Sequence, residues 1–478
     1  MERPMREMLA GVADRLSLHM PGAQGHGPFG PMNPYQLETT ELPVTDDLYA
    51  PCGAIARAET LAAQCAGAAH TLMLTGGSTA GVQAMLLYAA GGGGAVILPR
   101  NVHVSAIHLC AVAGLEPVFA QPSFMPSGLC YTSDESYLEA LARCPGARAM
   151  LVARPDYYGA LHWPVRAVAQ AHKMGVLVLC DEAHGAHLNW DAEVPAAGAL
   201  GADLWVQSAH KTLPALNGGA WLHAGPGVNT ARLRSMLRAV QTSSPSFVTL
   251  LALDDARAWM QYYGAEAIRR LKDSAVRFHA CAAALGYTNG QDEPGWVYDR
   301  TRVVLNAPQG GFALAAELAA RGVDVEMSDA RRVVCILSLM DGTERLEQLL
   351  KKLRDVAETG KASGILDRGG ACQCAQNGLR RDVTDGMEES GGPVWLSLPA
   401  PPERVVSLKE AFFAPSEAVP LSRAAGRVSA VQAGPYPPGV ALITAGERVT
   451  EELAKYLAAL DPRRAFGIEP DGTLACLK

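Results

Sequence analysis

The sequence predicts an α/β protein built on a mostly parallel sheet, with smaller α+β parts behind it, and three observations carry that reading. Six short apolar runs, TLMLTGG, GAVILPR, LEPVFAQ, ARAMLVAR, GVLVLCDE and ADLWVQS, lie between residues 69 and 265. They are continuous rather than alternating, as strands covered on both faces are. Helix-like stretches separate them, which is the rhythm of strand, crossover helix and parallel strand. A chain of 478 residues also exceeds one ordinary core, so further domains are expected.

Residues 1–68 read as an arm, with one amphipathic segment and then the Gly/Pro-rich MPGAQGHGPFGPMNP. Residues 69–265 form the large domain. Residues 266–359 mix helix (AEAIRRLKDSAVRFHACAAAL, TERLEQLLKKLRDVAE) with strand (RVVCILSL), a small α+β domain. Residues 360–394 lack any apolar period and read as a linker, and 395–478 make a C-terminal domain. The net charge of -7 is spread without a basic block, which argues against nucleic acid and anionic membrane as partners. The amino terminus has no long apolar core and no run approaches a membrane span, so a cytoplasmic protein is expected. Eleven cysteines, an odd number, follow no repeated spacing, and Cys110, Cys180 and Cys335 fall in apolar stretches, so reduced core thiols are expected. Cys372 and Cys374 of CQC lack a second pair of ligands, and no metal site is expected.

Three strand ends carry chemistry. TGGSTAG (75–81) follows a strand and opens a helix, so free backbone N–H groups there converge on one spot, either as an anion cradle or as a tight turn without ligand. GVLVLCDEAHGAH puts Asp181 and Glu182 at the carboxyl end of a strand, with His184 and His187 just beyond, facing the crevice where open α/β sheets bind ligands. SAHKTLP (208–214) sets Lys211 between apolar segments, where an amine is costly unless it is paired, deprotonated or used covalently. His103 of LPRNVHVS ends another strand. An anion cradle, a strand-end acid and a strand-end lysine together suit a ligand with a phosphate, a basic ring nitrogen and an aldehyde. Pyridoxal 5'-phosphate has all three.

The same segments carry a resemblance. TGGSTAG, RNVHVS, DEAHGAH, SAHKTLPALNGGAWLH and TSSPSF stand in the order found in the Orn/Lys/Arg decarboxylases, a family of fold-type-I pyridoxal-phosphate enzymes. PYPPGVALITAGERVT (435–450) resembles that family's C-terminal domain, and TDDLYAPCGAI (45–55) its entry segment. The resemblance implies that Lys211 carries the cofactor as a Schiff base, that Asp181 pairs with the pyridine nitrogen, that His103 stacks on the ring and that His184 lies near the ring oxygen. Ser78, Thr79, Ser208, His210 and Ser244 would surround the phosphate, the last from a segment that in this family reaches a neighbouring protomer's site. Lys211, His103 and Asp181 are thus the implied catalytic residues. Decarboxylation of arginine, lysine or ornithine is the implied reaction, in a homodimer or higher homo-oligomer. Asp46, Asp47 and Glu447 are the implied contacts to the substrate's basic group.

Three segments depart from the family's pattern. PGAQ lacks a basic pair after PG, Val104 stands in place of lysine, and Asn217 and Gly218 stand in place of threonine and glutamine. Two other readings therefore stay open: another pyridoxal reaction such as transamination or elimination, since the cofactor carries the chemistry, and a cofactor-binding regulator without turnover.

Overall fold

The computed structural model describes residues 15–19, 34–42, 45–362, 398–436 and 439–478. The PGAQ segment and most of the expected linker, with Cys372 and Cys374, lie outside them.

All six apolar runs form strands: β1 (His70–Leu74), β2 (Gly94–Pro99), β3 (Leu115–Ala120), β4 (Ala149–Ala153), β5 (Leu177–Asp181) and β6 (Leu204–Gln207). A seventh, β7 (Ala220–Ala224), completes the sheet in the order β1-β7-β6-β5-β4-β2-β3. β7 runs antiparallel to both of its neighbours, and the pairs from β6 to β3 are all parallel. The carboxyl ends of β1, β2, β4, β5 and β6 consequently share one edge of the sheet.

The sheet is buried on both faces, which is why its strands are mostly apolar. The helices Gly77–Ala90 and Val104–Ala113 cover one face, and Phe247–Trp259 and Ala265–Ala283 belong to the core on the other. Gly81 sets the first of these contacts: a Cβ there would lie 2.4 Å from a Val206 methyl and 2.9 Å from a Leu74 methyl. Only glycine lets helix and strand approach this closely.

Behind the sheet, four strands in the order Thr288–Asn289, Arg302–Asn306, Arg332–Ile336 and Met327–Ser328 form the small domain's sheet. Leu16–Leu18, in the segment expected to be a separate arm, pairs in parallel with Val323–Val325 of this region. In the C-terminal part, Ser416–Pro420 pairs with Thr473–Leu477, and the helix Glu451–Ala459 packs beside them.

A small polar cluster sits inside the main sheet. His223 of β7 is fully buried, with Nδ1 2.7 Å from the Thr71 hydroxyl and Nε2 3.0 Å from Gln207 Oε1. Hydroxyl-to-Nδ1 and Nε2–H-to-amide bonds satisfy the neutral ring, and burial lowers its pKa from 6.5 to about 3. The unfolded chain therefore binds a proton that the folded one refuses between those values. The stability contributed by neutral His223 is complete above pH 6.5 and is lost progressively as pH falls toward 3. The melting temperature should drop between pH 7 and pH 5, and His223→Gln should make that drop shallower than in the parent protein at matched ionic strength.

Candidate active site

A cavity of about 530 Å³ opens at the shared edge, lined by the segments that leave β1, β2, β4, β5 and β6. After β1, the helix Gly77–Ala90 begins without a side-chain cap. The N–H groups that follow Gly77 in its first turn have no intrahelical acceptor and are available to an anion. The turn is fixed from outside: Gln241 Oε1 accepts from the N–H groups of Thr75 (3.0 Å) and Gly76 (3.1 Å), and the Gly77 N–H donates to the Gly218 carbonyl (2.8 Å). Gly77 and Gly218 both have positive φ, at 70° and 87°, which explains glycine at each. Ser78 and Thr79 line the cavity, and the Ser208 hydroxyl donates to Ser78 Oγ at 2.8 Å.

After β2, His103 caps the helix Val104–Ala113. Its Nδ1 accepts from the Ser105 N–H at 3.2 Å and lies 2.8 Å from the Ser105 hydroxyl, so the neutral ring carries its proton on Nε2. Burial lowers its pKa, with Lys211 adding to the effect and Asp181 opposing it. Asp181 is the last residue of β5, where one of its oxygens accepts from the Ala183 N–H at 3.1 Å. Lys211 lies in a single helical turn, Ala209–Thr212, just past β6 rather than on the strand itself. Its Nζ is 3.3 Å from His184 Nε2. Desolvation lowers the lysine's pKa against the pull of Asp181, and Arg302 lowers it further. His184 is held neutral far more strongly, by burial and then by Lys211 and Arg302. Its ring packs on Tyr157 at 4.8 Å, and its Nδ1 is buried without a hydrogen-bond partner among the described residues. His210 lines the cavity too, and its Nδ1–H donates to the Gly219 carbonyl at 3.0 Å.

The structure thus gathers Ser78, Thr79, His103, Asp181, His184, His210 and Lys211 around one cavity, with Ser208 bonded to Ser78. Four other expected residues stand apart from it. The Asp46 carboxylate accepts from four backbone N–H groups, those of Asp47, Cys52, Gly53 and Ile55. Desolvation opposes ionisation there, but the four donors outweigh it and bring the pKa down to about 2. Asp46 therefore secures the turn before the helix Ala54–Ala66. Asp47 accepts from the Tyr49 N–H at 2.8 Å in the same turn. Ser244 is exposed in a loop away from the cavity of its own chain.

Glu447 corrects the expectation of a substrate contact most plainly. It is buried and paired bidentately with Arg100 at 2.7 and 3.0 Å, approached by Arg404 at 3.4 Å, and accepts from the Thr444 N–H at 2.8 Å. Nothing of this carboxylate is left for a ligand. Instead it clamps the C-terminal domain to the segment after β2, a contact completed by the Ala441 N–H donating to the Arg100 carbonyl at 3.1 Å.

Of the other motif residues, Glu182 faces away from the cavity, with Arg154 at 3.0 Å, Gln207 at 2.8 Å and the Ala197 N–H at 2.9 Å. His187 pairs with Asp299 at 3.1 Å. Several cavity residues were not singled out from the sequence as site candidates. Asn101, Asp156 and Tyr157 come from strand-end loops, and Gln432, Tyr436 and Phe466 come from the C-terminal domain. Arg302 of the small domain donates to the carbonyls of Asp156 (3.0 Å), Tyr157 (2.9 Å) and His184 (3.1 Å), locking the loops after β4 and β5 together.

Comparison with known proteins gives the same assignment. The family model for the Orn/Lys/Arg decarboxylase major domain matches residues 36–286, and that for the C-terminal domain matches 402–466. The chain belongs to the Orn/Lys/Arg decarboxylase family. It is a pyridoxal-phosphate-dependent decarboxylase of a basic amino acid, as the motifs implied. Among relatives of this decarboxylase, the uncharacterized protein YaaO of Bacillus subtilis is 31% identical over 89% of this chain and 85% of its own. An arginine decarboxylase of Halalkalibacterium halodurans is 30% identical over 89% and 84%. The fold matches lysine decarboxylase A of Pseudomonas aeruginosa with a TM-score of 0.76 and 19% identity, over 99% of this chain and 81% of that one.

The residues present fit the cofactor. The uncapped helix start suits a phosphate, the desolvated Lys211 amine suits an aldehyde, Asp181 suits a protonated ring nitrogen, and His184 Nδ1 is a buried polar atom in need of a partner. Val104, at a departure from the family's pattern, lines the cavity. Glu447→Gln leaves Arg100 buried beside a neutral group and should cost about 3 kcal/mol of stability. The expected signature in thermal unfolding and steady-state kinetics is a lower melting temperature with unchanged preference among basic amino acids.

Proposed function

We propose that this decarboxylase acts on arginine, with Lys211 as the point of cofactor attachment and Asp181, His103 and His184 around the ring. The observation that supports the site is the convergence of Lys211, Asp181, His103 and the uncapped Ser78–Thr79 helix start on one cavity. Arginine is the substrate named for the H. halodurans relative, which aligns with most of the chain. When bound, pyridoxal phosphate supplies the sink for the electron pair left as carbon dioxide departs.

The chain's own groups do the rest. Burial and the charge of Arg302 favour an unprotonated Lys211 amine, the form that attacks a carbonyl. His184 Nε2 lies within reach of that amine. Asp181 would hold the pyridine nitrogen as an N–H donor, and the first turn of the helix Gly77–Ala90, with Ser78, Thr79 and Ser208, would hold the phosphate. Forming the amine takes up one proton per turnover. His103, with Nδ1 committed to Ser105 and its proton on Nε2, is the side chain assigned to deliver it. The proposal includes a homodimer, in which Ser244 serves the neighbouring subunit's phosphate, and a cytoplasmic location. Nine described cysteines, all free, support a reducing compartment.

Purified protein supplied with pyridoxal phosphate and, separately, arginine, lysine and ornithine should release carbon dioxide and amine fastest from arginine. A keto acid product would instead establish a transaminase. Lys211→Ala should abolish the visible absorbance of the lysine-bound cofactor, and its persistence would remove Lys211 from the site. His103→Gln should keep that absorbance and lower kcat by ~10²-fold or more.

A further inference from the structure

Two acidic side chains occur among the residues that line the cavity, Asp181 and Asp156. Elsewhere the rule for enclosed carboxylates is strict. Among the described residues five acidic residues are buried, Glu59, Glu182, Asp299, Asp329 and Glu447, and each faces an arginine. Asp181 and Asp156 pair with no cation of the described chain. For Asp181 the reason is at hand, because the protonated ring nitrogen is its partner in the proposed site. Asp156 has no such explanation.

Asp156 follows β4 by three residues, and Ala153 at the end of β4 stands in register with Asp181 on β5. The two carboxylates therefore occupy the same rim, one strand apart. One Asp156 oxygen accepts from the Ala160 N–H at 2.7 Å. The nearby Arg302 guanidinium is spent on the main-chain carbonyls of Asp156, Tyr157 and His184 and on Asp299. Desolvation pushes the Asp156 carboxyl up to about 6, only partly offset by the Ala160 N–H and Arg302. A carboxylate in this position gains most from a cation that arrives with the ligand. The ring of Tyr157, also at the cavity wall, offers an aromatic face of the kind on which guanidinium groups stack.

We propose that Asp156 anchors the distal cation of the substrate, a guanidinium in the arginine reading, and so makes the site select basic over neutral side chains. The inference rests on the decarboxylase reading and identifies the group at that same site that chooses the substrate. The sequence pointed elsewhere, to Asp46, Asp47 and Glu447, whose carboxylates are all engaged within the chain.

The test compares arginine with citrulline, which has the same length but a neutral urea in place of the guanidinium. Dissociation constants are read from the change in cofactor absorbance on titration, alongside kcat/KM. Asp156→Asn keeps an oxygen to accept from the Ala160 N–H, so the turn is preserved while the charge is removed. Arginine binding should weaken by ~10²-fold and citrulline binding should change less than ~3-fold, with the cofactor absorbance intact. Asp156→Ser provides a second neutral variant should the first fail to fold. Unchanged preference for arginine over citrulline in either folded variant overturns the role of Asp156 and leaves the decarboxylase reading standing. Failure of the parent protein to release carbon dioxide from any of the three basic amino acids is the separate result that removes that reading, and the inference with it.

Discussion

Arg302 is the side chain on which the site's architecture depends. It reaches from the small domain's sheet into the large domain, is almost wholly buried, and satisfies its donors with three loop carbonyls and Asp299. Two segments that leave adjacent strands, one bearing Asp156 and one bearing His184, are thereby held in a fixed relation. The same charge helps depress the pKa values of Lys211 and His184. One guanidinium therefore shapes the wall of the cavity and adds to the effect of burial on the groups within it. A lysine could not replace it, because the planar fork is what spans the separate carbonyls.

The C-terminal domain takes part in the site through a second guanidinium. Arg100 stands one residue before Asn101 and three before His103, and its bidentate pair with Glu447 fixes the segment that carries both. Gln432, Tyr436 and Phe466 then close that side of the cavity. The cavity is a product of three regions of the chain, although most groups with assigned chemistry come from the large domain.

What the sequence revealed, and what it did not, follows from the range of the interactions involved. The parallel strands were legible because burial on both faces writes itself into every position, and Asp181 and Lys211 were legible because polar residues at the end of such runs are conspicuous. β7 was not singled out, since its five residues include the polar His223 and its place between β1 and β6 depends on pairing with β1, which is distant in the chain. Glu447 looked like a free acid because its partner Arg100 lies 347 residues away. Asp46 looked like one because accepting four backbone N–H groups leaves no trace in the pattern of side chains. Asp156 reads as an ordinary turn acid after a proline, and only the fold sets it on the rim beside Asp181.

The antiparallel course of β7 has a consequence for the order of assembly. The glycine turn at 75–77 is completed by the Gly218 carbonyl and by Gln241, the latter separated from Thr75 by 166 residues. The excursion that carries Lys211 supplies the first of these braces, and the helix that follows β7 leads to the second. Contacts of such long sequence separation carry the entropic cost of closing a long loop. The glycine turn is therefore fully braced only when the chain as far as Gln241 has folded onto it, and a chain cut before that residue would lack one of the two braces.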